Sequence, residues 1–177
     1  MDERIIADVK NKIRNVPDFP RKGIMFRDIT TALKEAETLP VMVDYLCDKF
    51  KDVKIDYIAG IESRGFIFGM PMAYKIQAGF VPIRKPNKLP AETYSQSYQL
   101  EYGTDTIEVH KDAFPEGANV LIVDDLLATG GTAEAACKLV KKTGANLAGI
   151  AFLIELEDLK GRSKLKDVPK VVSMLKY

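Results

Sequence analysis

The sequence predicts an α/β fold in which helices flank a mostly parallel central sheet. Three observations carry that prediction. Short apolar runs rich in β-branched residues, such as Val120-Leu121-Ile122-Val123, are too short for helices and suit strands buried on both faces. Stretches with apolar residues at helical spacing alternate with these runs along the chain. Two of the junctions between run and helix carry glycines and small polar residues, as ligand-binding loops at the carboxyl ends of parallel strands do.

Taken in order, residues 2–13 place Ile5, Ile6, Val9 and Ile13 on one face of a short amphipathic helix. Residues 16–28 lose all periodicity around Pro17, Pro20 and Gly23 and read as an irregular arm or hood. From Pro40, the residues Met42, Tyr45, Leu46 and Phe50 mark a second helix that packs on the sheet. Residues 55–60 form the first central strand, followed by the loop Ile61-Glu62-Ser63-Arg64-Gly65 and a helix over 66–76. Gly60 and Gly65 have P-loop spacing, but Phe66 stands in the lysine position, so a Walker nucleotide site is rejected.

Residues 80–85 are the next strand. The polar segment 86–103, broken by Pro86, Asn87 and Pro90, is either a flexible linker or a lid. Residues 104–111 alternate like a strand, with His110 on its outer face. Glu116-Gly117 turns the chain into the Val120 strand, which ends at Asp124-Asp125. A helix over 133–142 follows, with Gly144 as its stop. Residues 147–156 form another buried strand and 168–175 supply an edge strand. With no repeat or second domain visible, residues 1–177 are expected to form one domain. Residues 1–35 are its N-terminal helix and hood, and 86–104 its flexible loop.

Charge and composition bound the function. Lys and Arg number 26 against 25 Asp and Glu, so no global basic field recruits nucleic acid. The apolar runs are far short of a membrane span, and Met1-Asp2-Glu3 begins no signal peptide. His110 is the single histidine and there is no Cys-x-x-Cys, which excludes a multi-histidine metal site or its thiolate substitute. Cys47 and Cys137 stand isolated, as buried thiols of a reducing compartment do. A cytoplasmic enzyme fits these bounds.

The most informative stretch is Val120-Leu121-Ile122-Val123-Asp124-Asp125-Leu126-Leu127-Ala128-Thr129-Gly130-Gly131-Thr132. Its glycines let backbone N–H groups approach an anion, and the following helix adds the positive end of its dipole. Thr129 and Thr132 supply hydroxyl donors. The loop is built for a phosphate. Two carboxylates beside such a cradle repel the phosphate unless they bind hydroxyls, a metal ion, or both. A phosphorylated ribose carrying a Mg²⁺-bound pyrophosphate satisfies every group. The string resembles the phosphoribosyl-pyrophosphate (PRPP) motif of the type I phosphoribosyltransferases.

The resemblance extends further. Phe26-Arg27-Asp28-Ile29, Tyr57-Ile58-Ala59-Gly60, Ser63-Arg64-Gly65-Phe66, Ile83-Arg84-Lys85, Lys88-Leu89-Pro90 and Leu100-Glu101-Tyr102-Gly103 precede the PRPP motif in order. From residue 18 to 177 the chain is similar to the adenine-specific members of that family. The resemblance implies a type I phosphoribosyltransferase fold that transfers the phosphoribosyl group from PRPP to adenine, giving AMP and pyrophosphate, with Mg²⁺, in a homodimer.

Residue by residue, it implies that Asp124 and Asp125 hold the ribose hydroxyls, with Mg²⁺ bound chiefly through the substrate. Ala128, Thr129, Gly130, Gly131 and Thr132 hold the 5′-phosphate. Ser63, Arg64 and Lys88 lie by the pyrophosphate, and Arg84 reaches that of the neighbouring subunit. The peptide between Glu62 and Ser63 is the candidate for an unusual cis bond. Phe26 and Leu126 sandwich the adenine ring while the backbone of Met25 and Arg27 bonds its edge. Glu101 is the acid/base near the purine imidazole edge, with Tyr102 closing behind it. Met25 departs from the smaller β-branched residue expected there. Two rivals stay open. An enzyme for a 6-oxopurine would use Lys160 as a donor, and a non-catalytic PRPP sensor would add a basic DNA-binding domain.

Overall fold

The first elements of the chain make a small unit of their own, Met1–Tyr45, followed by a larger one, Leu46–Tyr177. Both are seen in a computed structural model that describes residues 3–99 and 103–177. The small unit opens with helix α1, Glu3–Lys12, which has Glu3 in its first turn and Lys10 and Lys12 in its last. That order complements the helix dipole.

The stretch expected to be irregular contains a hairpin instead. Strand β1, Arg14–Pro17, pairs antiparallel with β2, Met25–Asp28. Polar residues and a proline hide the two-residue period over so few positions. Between the strands, Asp18 at φ 57 accepts the Gly23 N–H at 2.7 Å, and Phe19–Pro20 is cis. The short helix α2, Thr30–Leu33, follows, and Thr30 donates both its N–H and its hydroxyl to Asp28. Helix α3, Thr38–Lys49, carries the chain into the larger unit.

There the elements are β3 (Tyr57–Ile61), α4 (Gly65–Ile76), β4 (Gly79–Ile83), β5 (Thr93–Gln99), β6 (Thr104–His110), β7 (Asn119–Leu127), α5 (Gly131–Lys142), β8 (Asn146–Glu155) and β9 (Val171–Lys176). Five strands form one sheet in the order β4-β3-β7-β8-β9, and all four pairings are parallel. The expected α/β architecture holds, and β9 is the expected edge strand. Val120, Ile122, Ile150 and Phe152 pack with Ala136, Leu139 and Val140 of α5 in one core cluster. Alternate positions such as Ile58 and Leu121 face α4: Ile58 lies against Gly69, and Leu121 lines a cavity together with Met72 and Ile76.

Two departures from expectation bear on the site. Much of segment 86–103 is strand: β5 pairs antiparallel with β6 from Thr93↔His110 to Gln99↔Thr104. Its Tyr94 and Tyr98 do alternate, but Ser and Gln between them give the stretch a loop-like composition. The Val120 strand also does not end at the aspartates. It runs to Leu127 because β8 supplies partners as far as Glu155.

Candidate active site

The sheet itself places the site. From β3 the chain moves one way, through α4 to β4, and from β7 the other way, through α5 to β8. Adjacent β3 and β7 are therefore the topological switch point, and the crevice outside their carboxyl ends is where ligands bind in open α/β sheets. β3 pairs with β7 only as far as Gly60↔Val123, whereas β8 continues beside β7. From Asp124 onward, β7 thus has no β3 partner, and the loop after β3 comes in against it. Contact there is close: a Cβ on Gly65 would lie 2.5 Å from the Val123 carbonyl oxygen and 3.2 Å from Asp124 Oδ1.

In that loop the Glu62–Ser63 peptide is cis. Ser63 is exposed, and its carbonyl accepts the Phe66 N–H in the first turn of α4. The Arg64 Nε–H donates to Asp125, which is only 7% exposed. Asp124 Oδ1 accepts the Asp125 N–H at 2.9 Å. Shielding from water, and then the charge of Asp125, push the Asp124 carboxyl well above the usual carboxylate range. The sequence-predicted acidic pair thus consists of two unlike groups. One carboxylate is paired with arginine, and the other is held above the usual carboxylate range by burial and by its neighbour's charge.

After β7, residues Ala128 and Thr129 lead to Gly130 at φ 80, where α5 begins. The Gly130 carbonyl accepts the Glu134 N–H at 2.9 Å, so this carbonyl is committed to the helix. Thr132 lies in the first turn of α5, and both threonines are part-exposed. Among the described residues, no three His, Cys, Asp or Glu side chains gather as a protein-built metal site would require. Asp124 and Asp125 are hard oxygen donors that suit magnesium. With Asp125 also held by Arg64, they leave most of a six-oxygen shell to come from elsewhere.

Three basic residues follow β3's neighbour β4. Arg84 Nε–H donates to Glu62 at 2.9 Å, and the Lys85 backbone N–H donates to the same oxygen at 2.8 Å. These bonds, Arg84's first, hold Glu62 below the usual carboxylate range. Lys85 pairs with Asp105, and Lys88 is exposed. Leu126, near the end of β7, is part-exposed. In the N-terminal unit, Met25, Phe26 and Arg27 lie on β2. Met25 and Arg27, two apart, direct their backbone polar groups to the same edge of the ribbon. Met25 stands opposite Pro17, which has no N–H to give it. Glu101 and Tyr102 lie outside the described residues.

Residues 42–176 match the family model of the phosphoribosyl transferase domain. The chain belongs to the phosphoribosyltransferase family. Among its relatives is the adenine phosphoribosyltransferase of Trichodesmium erythraeum, 56% identical over 96% of this chain and 99% of that protein. The crystal structure of the enzyme of that name from Thermoanaerobacter pseudethanolicus is 51% identical, with a TM-score of 0.94, covering 97% of this chain and 99% of that one. The Saccharomyces cerevisiae adenine phosphoribosyltransferase, crystallised with an imino-altritol bisphosphate and adenine, is 43% identical with a TM-score of 0.92, covering 98% and 100%.

Within this phosphoribosyltransferase, some residues next to the predicted site gave no signal in the sequence. Glu62, singled out in the sequence only as one side of the candidate cis peptide, orders Arg84 and the Lys85 backbone. Gln99 and Tyr98 pack on the start of α5, where a Cβ on Gly131 would lie 3.0 Å from the Gln99 carbonyl oxygen. The end of β5 therefore rests on the start of α5. Gly161 lies against the loop just before α5, at Ala128 and Gly130. Lys160, the residue a 6-oxopurine enzyme would use, is exposed at φ 52, immediately before Gly161.

Proposed function

We infer that the protein transfers the 5-phosphoribosyl group of PRPP to adenine, giving AMP and pyrophosphate, the reaction of purine salvage. The observation that carries this reading is the Arg64–Asp125 pair at the switch point, beside the Ala128–Thr132 loop, in a chain 56% identical to an adenine phosphoribosyltransferase. The C1′–oxygen bond breaks with its electron pair leaving on pyrophosphate, the N9–C1′ bond forms, and the N9 proton is lost.

The chain's own residues have distinct parts in this proposal. Asp124 and Asp125 accept the ribose hydroxyls. Backbone N–H groups of residues 128–132, with the Thr129 and Thr132 hydroxyls, hold the 5′-phosphate at the helix terminus. Ser63, Arg64 and Lys88 bind the departing pyrophosphate, whose growing charge they stabilise. Glu101 takes the N9 proton, and Tyr102 closes the loop so that water cannot capture the oxocarbenium-like ribose. Met25, Phe26, Arg27 and Leu126 are assigned to adenine on the sequence resemblance. Magnesium, held chiefly by the substrate near Asp124 and Asp125, supplies charge neutralisation to the pyrophosphate.

A homodimer in the cytoplasm belongs to the same proposal. Ile67, Met70 and Tyr74 recur along α4 as exposed apolar residues, Tyr74 at 88%, a stripe that a second copy of the chain would cover. The Arg84 guanidinium lies 5.9 Å from the Phe66 ring at the start of that helix, which suits a reach toward the partner's pyrophosphate. Two buried free thiols favour a reducing compartment, and no helix among the described residues is long and apolar enough to cross a membrane. A net charge of +1 favours small-molecule partners over nucleic acid.

The test is incubation with PRPP, Mg²⁺ and each of adenine, hypoxanthine, guanine, xanthine and uracil, with pyrophosphate release as the readout. Release with adenine supports the reading. No release with any base overturns it in favour of a PRPP-binding regulator, and release with a 6-oxopurine alone points to the other purine enzymes.

A further inference from the structure

Gly161 opens the 3-10 turn Gly161–Leu165 and is buried. A Cβ placed on it would lie 2.1 Å from the Ala128 carbonyl oxygen and 2.9 Å from the Gly130 nitrogen. Conversely, a Cβ on Gly130 would lie 2.5 Å from the Gly161 carbonyl oxygen. Two stretches of backbone therefore touch with no side chain between them. Gly161 is not among the residues of positive φ, so conformation does not demand a glycine there. The close approach does.

The turn is anchored at both ends. Leu165 is buried in the apolar core. Arg162 donates Nε–H to Glu155 Oε1 at 2.8 Å and Nη2 to the other carboxylate oxygen. It also donates to the Val171 carbonyl at 3.0 Å and the Ser173 hydroxyl at 3.2 Å. Glu155 is the last residue of β8, only 5% exposed, and the register partner of Leu127, the residue just before Ala128. A bidentate fork of this kind fixes orientation as well as distance.

We propose that Gly161 is a positioning residue for the 5′-phosphate loop, held in place by the Glu155–Arg162 pair. The proposal rests on the assignment of residues 128–132 to that phosphate. The sheet fixes Glu155, Glu155 fixes Arg162, and Arg162 fixes the turn whose glycine backs the loop. No side chain in this series touches substrate. Its effect is preorganisation: a loop already in its binding geometry avoids the ordering cost on association.

The test separates the two anionic ends of PRPP, with ribose 5-phosphate and magnesium pyrophosphate as calorimetric probes. Gly161→Ala is expected to raise the ribose 5-phosphate Kd at least about tenfold, and Arg162→Lys at least about threefold, because a displaced loop loses aligned donors. The pyrophosphate Kd stays within about twofold of wild type in both, since that end is assigned elsewhere. Gly149→Ala is the stability control: its Cβ would strike Phe50 and the Lys170 carbonyl, so it lowers Tm while leaving both affinities in place. Equal changes at both ends, or an unchanged ribose 5-phosphate Kd in Arg162→Lys, overturn the proposal. If Gly161→Ala does not fold, Arg162→Lys decides. Wild-type protein that binds neither probe overturns the substrate reading as well.

Discussion

The Nε–H of Arg64 donates to the Asp125 carboxylate, joining the loop after β3 to the end of β7 across 61 positions of sequence. Asp125 is buried, whereas the Arg64 side chain is 47% exposed. Arg64→Ala leaves a buried carboxylate with one partner fewer, but water reaches the vacated position in part. The expected cost is about 1–3 kcal/mol, a fall in Tm of roughly 2–12 °C for a chain of this size. Turnover should fall with it, because the same guanidinium is proposed to meet pyrophosphate. Scanning calorimetry with steady-state kinetics checks both, and an unchanged Tm would show the pair to be energetically idle.

Asp124 should trade stability for function. Its raised pKa means that the folded chain holds this proton more tightly than the unfolded chain does. That contribution to folding is fully present below the ordinary carboxylate pKa, about 3.9, and is lost as pH rises through the folded value. At pH 7 the charge is therefore a burden, and Asp124→Asn should raise Tm. It should also lower turnover at least tenfold, about 1.4 kcal/mol of transition-state binding. In the wild type kcat/KM should fall on the acid side as this carboxyl protonates. That limb should disappear in the asparagine variant, and its survival there would assign it to another group.

Gly65→Ala should damage both packing and activity. The added Cβ would sit 2.5 Å from the Val123 carbonyl oxygen, which belongs to the sheet and has little freedom to move. Overpacking of this kind costs about 1–3 kcal/mol. The expected outcome is a lower Tm and an altered PRPP KM, since the Arg64 loop must shift. A variant with wild-type Tm and KM would mean that β7 and α4 separate freely.

Cys137 should be inert. Burial on α5 pushes its thiol pKa up to about 11, so almost none is thiolate at pH 8. Native protein treated with iodoacetamide at that pH should show no modification at Cys137 by mass spectrometry until denaturant is added. Prompt labelling would show that α5 opens locally.

On the proposed assignment of the Met25 and Arg27 backbone to the purine edge, base preference follows from backbone polarity. Adenine offers a 6-amino donor and an N1 acceptor, whereas hypoxanthine and guanine offer the reverse. Backbone groups at Met25 and Arg27 cannot exchange donor for acceptor, and each mismatch leaves a buried polar group unpaired at about 1–3 kcal/mol. Adenine should exceed hypoxanthine in kcat/KM by at least about a thousandfold. Arg27→Ala should weaken activity without admitting hypoxanthine. Values within tenfold of each other would turn attention to Lys160.

What the sequence determined by itself was local and periodic. The apolar run from Val120, the helical spacing of residues 133–142 and the glycines between them specify strand, glycine-bearing loop and helix. Each depends on short-range propensity and on which face is apolar. The hairpin at 14–28 and strand β5 at 93–99 were not legible as strands, because their pairing satisfies backbone groups without an apolar signature, whereas the alternation of 104–111 was. The tertiary structure alone decided the rest. Strand order makes β3 and β7 the switch point, and the shorter β3 leaves the end of β7 free for Arg64 to reach Asp125. Gly161 acquires its proposed role only by lying against Gly130. A contact of backbone on backbone, made by residues 31 positions apart, leaves no trace in composition or period; it exists only once the sheet has set the distance between the two loops.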